Sequence, residues 1–249
     1  MDKIKNNLLR FFNVGSGAVA AALDAGSDGL ILSVSEASGF PDMFGAFNFH
    51  YEPRQIVKLA QDVQPKRRQT AVWAPVACYD DTRDLTALFD ELRGAGVRGV
   101  VSYPSLSVYE GDFRQALSDE GITLEKELAA LSAARTWGLS AAAYICSPED
   151  AQVCLDFPVD AVIVPAVCET DAILPILRRH PAEPAILLQS EPYASAADSV
   201  QHAYQAGADG FWASAMFGAV SAEATLAGAV NEYKTVPVRT GNTLDGEKQ

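Results

Sequence analysis

Carboxylates recur where short apolar runs give way to polar sequence. Glu36 follows GLILSV (29 to 34), Asp80, Asp81 and Asp84 follow TAVWAPVA (70 to 77), and Glu110 and Asp112 follow GVVSYP (99 to 104). Glu169 and Asp171 follow AVIVPAV (161 to 167), and Glu191 follows AILLQS (185 to 190). Hard oxygen donors gathered in this way suit Mg²⁺ or Mn²⁺, and two carboxylates can also divide the acid and base roles of bond cleavage. Asp80 and Glu110 stand out because they follow neighbouring runs closely enough to share an ion or those two roles. Arg83 and Arg114, a few residues further on, are expected to hold a substrate carboxylate. Helix capping is the competing reading for most of these acids, above all for Asp84 and Asp171.

Cys78, Cys146 and Cys168 also close three of the runs. A partly exposed thiolate is a strong nucleophile, and Cys78 is a candidate for that role. A small apolar thiol packed in the core is the alternative for all three, and Cys154, inside a helical pattern, reads as core. Tyr103 and Tyr144 sit where a phenol could donate to a developing oxyanion. With Ser16, Ser35, Arg83, Glu191 and Ser214 they are expected to line a substrate pocket.

Absences narrow the chemistry further. Lys58, Lys66, Lys126 and Lys234 fall in helical segments or at their ends, so no lysine reaches a strand end to form a Schiff base. His50, His180 and His202 are too few, and too scattered, for a histidine-rich metal centre. After the last two runs only SEPYAS (190 to 195) and SAMFGA (214 to 219) stand where a barrel phosphate site wants glycines, a weak signal, and neither nucleotide nor flavin is expected.

The elements that must position these residues follow from periodicity. Eight β-branched or apolar runs, the five above together with FFNV (11 to 14), SAAAYIC (140 to 146) and GFWASA (210 to 215), suit strands buried on both faces. Amphipathic segments such as 84 to 96 and 123 to 138 separate them, with apolar residues spaced by three and four. Strand–helix alternation repeated about eight times predicts a single (β/α)₈ TIM barrel over 8 to 235, with a polar, flexible tail from 236 to 249. The rival, an open doubly wound sheet, usually has fewer strands and a glycine-rich loop after the first. A degenerate junction, AGSDG, AGVRG, FPVDA and AGADG, precedes four of the runs and ends a helix before each.

Composition restricts the partners. The 249 residues carry 19 Lys plus Arg against 32 Asp plus Glu, a net formal charge of −13, which repels phosphate backbones and anionic lipid alike. The start MDKIKNNLLRFF has no apolar signal core, no stretch is long enough to span a bilayer, and cysteine spacing suggests neither zinc nor disulfides. A cytoplasmic protein acting on a small molecule, without nucleic-acid or membrane partners, is expected. The segment 35 to 55 is too long for an ordinary connection. Its aromatics Phe40, Phe44, Phe47, Phe49 and Tyr51 suit either a lid or a contact with a second copy, and a homo-oligomer is expected.

Residues 71 to 131 resemble the phosphoenolpyruvate hydrolase-like TIM-barrel family. The resemblance is carried by Asp80, Arg83, Asp84, Tyr103, Pro104, Glu110, Gly111, Phe113, Arg114 and Glu127, and more loosely by Gly15 to Gly17, Tyr144, Gly210 and Phe211. The chain departs from the family pattern after strand two, where Glu36 to Gly39 replace a basic stretch. It departs again at Ala166, and at Gln189 to Pro192 after strand seven. The family's strand-three cysteine falls at Ala77, with Cys78 one place along, on the opposite face of the strand. The resemblance implies an enzyme that hydrolyses or cleaves a C–C or C–O bond beside a carbonyl or enol in a small oxo acid or diketone-like metabolite. A metal-independent lyase or isomerase, and a catalytically silent binding or assembly module, are the alternatives.

Overall fold

A computed structural model describes residues 8 to 14, 27 to 32, 53 to 67, 69 to 190 and 196 to 213, together with Val19 and Leu23. Eight parallel strands close into a barrel in sequence order: β1 (Leu9–Val14), β2 (Gly29–Leu32), β3 (Ala71–Val76), β4 (Gly99–Ser102), β5 (Ser140–Tyr144), β6 (Ala161–Pro165), β7 (Ala185–Gln189) and β8 (Gly210–Ala213). The last pairs with the first, Phe11 opposite Trp212, so no strand edge is left open. This is the TIM barrel expected from the eight apolar runs; seven of the runs contain their strands, and β1 begins at Leu9, two residues before the expected run 11 to 14.

The helices are α1 (Pro53–Val63), α2 (Leu85–Gly94), α3 (Gly111–Asp119), α4 (Leu124–Ala133), α5 (Pro148–Cys154), α6 (Thr170–Leu177) and α7 (Ala196–Gln205). Their starts obey local chemistry. Asp84 accepts from the Ala87 N–H at 3.1 Å to cap α2, as its position after β3 foretold, Thr123 caps α4, and Ser147 with Pro148 opens α5. None is long and apolar enough to cross a membrane. Helix α3 departs from expectation, because 105 to 122 reads as a loop. It buries no residue, and its apolar positions, Phe113, Ala116 and Leu117, make only a single short turn of stripe.

Two apolar layers follow from strand alternation. Side chains such as Phe12, Leu30, Val72, Val100 and Phe211 point outward and pack under the helices. Phe11, Ile31, Val101, Tyr144, Ile163 and Trp212 point into the barrel. At the amino-terminal end the inward positions of β2, β4 and β8 are Gly29, Gly99 and Gly210. A Cβ at Gly99 would lie 2.3 Å from the Trp73 ring, and one at Gly29 would lie 2.2 Å from the Phe11 ring. Large residues on one strand fill the space that glycine leaves on the next, so this end is a packed core.

The repeated junctions have a further role that composition does not reveal. Asp28, Asp160 and Asp209 each precede a strand and accept a backbone N–H from the strand before it. The donors are Arg10 at 2.8 Å, Ala141 at 2.8 Å and Ile186 at 2.9 Å. Three carboxylates thereby satisfy backbone donors along the rim opposite the mouth. In the fourth junction Arg98 occupies the place, and its carbonyl accepts from Ser140 N–H at 2.9 Å.

Candidate functional site

At the carboxyl-terminal end the inward positions are aromatic and polar. The rings of Tyr103 and Tyr144 meet edge to face with centroids 5.1 Å apart, and Trp212 lies 5.8 Å from the first and 6.1 Å from the second. The Tyr144 hydroxyl donates to Gln189 Oε1, one strand pair away from Trp212. Tyr144 is only 6% exposed, so its phenol is pre-aimed in an apolar surround, where hydrogen bonds are strengthened. The structure thus brings together two of the expected pocket residues, Tyr103 and Tyr144, and adds Gln189 and Trp212. Ser16, Ser35, Glu36, Glu191 and Ser214 lie outside the described residues, as do the aromatic segment 40 to 51 and the tail.

Asp80 occupies a tight turn of its own. One carboxylate oxygen accepts from the Thr82 N–H at 3.1 Å and from its hydroxyl, and the other accepts from Arg83 Nε at 2.7 Å. Arg83 is partly exposed, and no described side chain engages its terminal nitrogens. Glu110 is exposed at the amino terminus of α3 and makes no capping bond. No hydrogen bond or ion pair among the described residues joins Asp80 to Glu110. Both Asp80 oxygens are already engaged, and no three His, Cys, Asp or Glu side chains converge among the described residues. Among the described residues no cluster of three such donors is offered to Mg²⁺ or Mn²⁺.

Arg114 is turned away from the expected role. Its guanidinium grips Asp150 at the start of α5 in a two-pronged pair, 2.9 Å and 2.5 Å, which also raises its own pKa. Cys78 is 3% exposed and packs in the outward layer, as its place one residue beyond the family position implies. Burial, with the Glu127 charge second, pushes its thiol well up. That is the setting of an inert core thiol. Cys154 is likewise core, its thiol pushed up to about 12 by burial.

A buried polar network ties down the loop after β4. Glu127 of α4 is fully buried, accepts from the Ser102 hydroxyl, and takes the Leu106 N–H at 2.7 Å. Burial raises its pKa to about 7 against those hydrogen bonds. Ser105 donates to the Tyr144 carbonyl at 3.1 Å. The Ser107 hydroxyl donates to Asp150 and accepts from the Cys146 N–H at 2.7 Å. Loop 103 to 110, which carries Tyr103 and Glu110, is thus fastened to α4, to the end of β5 and to α5. Of this network the sequence offered Glu127, through the family pattern, and Arg114 in another role. Ser105 and Ser107 read only as part of the loop 105 to 122, and Asp150 carries no signal of its own in the sequence.

A model of the phosphoenolpyruvate hydrolase-like family matches residues 3–174. The ToMV resistance protein Tm-1(GCR237) of Solanum lycopersicum is 26% identical over 153 residues, which are 60% of this chain and 20% of that protein. The chain therefore spans about a fifth of the length of these tomato relatives. Among solved structures, tryptophan synthase from M. tuberculosis superposes with a TM-score of 0.60 at 14% identity, covering 92% of both chains. Oxaloacetate acetylhydrolase in complex with 3,3-difluorooxalacetate gives a TM-score of 0.60 at 13% identity, covering 84% of this chain and 76% of that one. At such identities the two structures share the barrel fold.

Proposed function

Because the chain belongs to the phosphoenolpyruvate hydrolase-like family, we propose that it is an enzyme cleaving a C–C or C–O bond beside a carbonyl or enol in a small oxo acid or diketone-like metabolite. The observation that carries this reading is the Tyr144 hydroxyl, held by Gln189 within the aromatic wall of Tyr103 and Trp212. Breaking such a bond puts negative charge on the carbonyl oxygen. A donor oriented before the substrate arrives stabilises that charge without reorganising. In this proposal the Tyr144 proton turns from Gln189 to the substrate oxygen. Arg83 grips the substrate carboxylate with its terminal nitrogens, and Asp80, bonded to Nε, positions that fork. Glu110 supplies the acid–base carboxylate. Ser16, Ser35, Glu191 and Ser214 complete the proposed pocket, and no step is routed through a metal ion.

The test is a panel of 2-oxo acids, acylpyruvates and 1,3-diketones followed by NMR, with oxaloacetate included because that barrel neighbour holds its difluoro analogue. Wild type should consume one class, and Tyr144→Phe should lower kcat about a hundredfold with KM little changed. Turnover by Tyr144→Phe within a few-fold of wild type would remove Tyr144 from the chemistry.

A binding or assembly module is the second reading, favoured by the tomato relative, which is named for virus resistance and is about five times longer than the matched segment. Under either reading the chain is proposed to self-associate. A monodisperse mass near 26.5 kDa in light scattering at micromolar concentration would remove that claim.

A further inference from the structure

We propose that the group seated in the depth of the barrel mouth is a neutral aroyl group, so that the substrates are aroylpyruvates or aryl 1,3-diketones rather than aliphatic oxo dicarboxylic acids. This rests on the cleavage reading above and names the substrate class that it leaves open. Strand alternation fixes which side chains face the interior. At the carboxyl-terminal end they include Tyr103 beyond β4, Tyr144 and Cys146 at the end of β5, Gln189 of β7 and Trp212 of β8. Among the described residues no charged side chain occupies an inward strand position. The charges stand at the rim or outside the barrel. Arg114 is closed on Asp150, Glu127 is taken up by Ser102 and the Leu106 N–H, and Arg83, its side chain 44% exposed, lies beyond β3 beside Asp80. A carboxylate driven into the depth would lose its water and meet no described cation. One left at the rim can meet Arg83, so the substrate enters with its carboxylate outermost and its neutral end first.

The inward groups also say what the neutral end is. Tyr103, Tyr144 and Trp212 meet pairwise at interplanar angles of 62°, 83° and 89°, each pair edge to face. Rings in this arrangement set the positive edge of one against the negative face of the next, and a further ring extends the pattern. Tyr144 and Trp212 are buried and form the floor, whereas Tyr103, Cys146 and Gln189 are partly exposed and stand above it. An incoming ring therefore meets first a phenol ring and a polarisable sulfur, which is itself a favourable neighbour for an aromatic edge. The polar groups among these five are the two phenols, the thiol and one carboxamide, all uncharged as drawn together here. The Tyr144 hydroxyl, already directed at Gln189 Oε1, suits a single carbonyl oxygen carried on that ring. Planar, uncharged and bearing one carbonyl describes an aroyl group. An oxo dicarboxylic acid, charged at both ends, matches neither the rings nor the missing cation.

The experiment compares kcat/KM of the full chain for benzoylpyruvate, acetylpyruvate and oxaloacetate. In parallel, NMR follows the Trp212 indole N–H, identified by its loss in Trp212→Phe, as acetophenone is added. Benzoylpyruvate should exceed acetylpyruvate by about tenfold or more, the worth of one further ring contact and the area it buries, and oxaloacetate should be the poorest of the three. Tyr103→Leu should shrink the preference for the aryl substrate to within about threefold. Tyr144→Phe should slow both acylpyruvates alike, leaving their ratio in place. Acetophenone should shift the Trp212 resonance saturably. Equal or better use of acetylpyruvate or oxaloacetate, or an undiminished preference in folded Tyr103→Leu, would overturn the aroyl assignment while the cleavage reading stood. If none of the three is consumed, acetophenone decides: a saturable shift at Trp212 sustains the aroyl site and counts against the cleavage reading alone, and no shift overturns the assignment.

Discussion

Glu127→Ala is expected to destabilise the chain by about 3 kcal/mol. The change strands the Leu106 N–H and the Ser102 hydroxyl in a place without water, at roughly 1–3 kcal/mol for each buried group left unpaired. It also leaves a cavity under the loop after β4. Glu127→Gln should behave differently, because its amide can still accept from Leu106 while Ser102 reverses to accept from the amide nitrogen. Its value lies in pH dependence. The folded carboxyl titrates near 7 and the unfolded one near 4.5. Below pH 4.5 both states hold the proton, and the stabilising contribution is fully present. As pH rises the unfolded chain releases its proton first, so the contribution declines and is lost by about pH 7. The shift corresponds to roughly 3 kcal/mol. Urea unfolding of wild type and Glu127→Gln across this window should therefore show wild type losing stability relative to the variant between pH 4.5 and 7, then a constant difference above. Parallel curves throughout would mean that Glu127 is ionised in the fold at all these pH values.

Asp150→Ala should also cost about 3 kcal/mol. Removing one member of a buried ion pair usually costs about 3–5 kcal/mol. The lower end applies because Arg114 is about a third exposed and can turn its guanidinium to water, whereas Ser107, left without its acceptor, cannot be rehydrated in place. The double change Arg114→Ala with Asp150→Ala should be less damaging than the single losses sum to, with a coupling of about 1–2 kcal/mol in a denaturant cycle. Additive losses would show that the two-pronged pair contributes nothing beyond its separate contacts. Amide exchange at Leu106 and Cys146 should quicken in Asp150→Ala, because Ser107 then loses the acceptor that orients it.

The barrel was legible because its signal is local and repeated. Each strand is an apolar run a few residues long, and each helix but α3 buries apolar residues or carries a recognisable cap. The thiols show how far alternation reaches: Cys78 faces outward because it lies an even number of residues from Val72 and Val76, a deduction available before any coordinates. The polar network was not legible. Arg114 and Asp150 are 36 residues apart, and Ser147-Pro148-Glu149-Asp150 reads fully as a helix start, with nothing left over to announce a distant cation. The local bonds of the Asp80 carboxylate were likewise not anticipated. Thr82 and Arg83, two and three residues on, capture both its oxygens, and a local turn out-competes a partner that must be brought from another strand.

The glycine-for-aromatic exchange that fills the amino-terminal half of the barrel bears on kinetics. With Phe11, Trp73 and Leu187 occupying that half, a substrate cleaved in the proposed reaction would have no rear exit, and both fragments would leave through the doorway by which their parent entered. A fragment seated deep against Tyr144 and Trp212 cannot depart before the one above it. Release in a two-product cleavage would then be sequential, and the deeper fragment would act as a competitive product inhibitor while the outer one would inhibit noncompetitively.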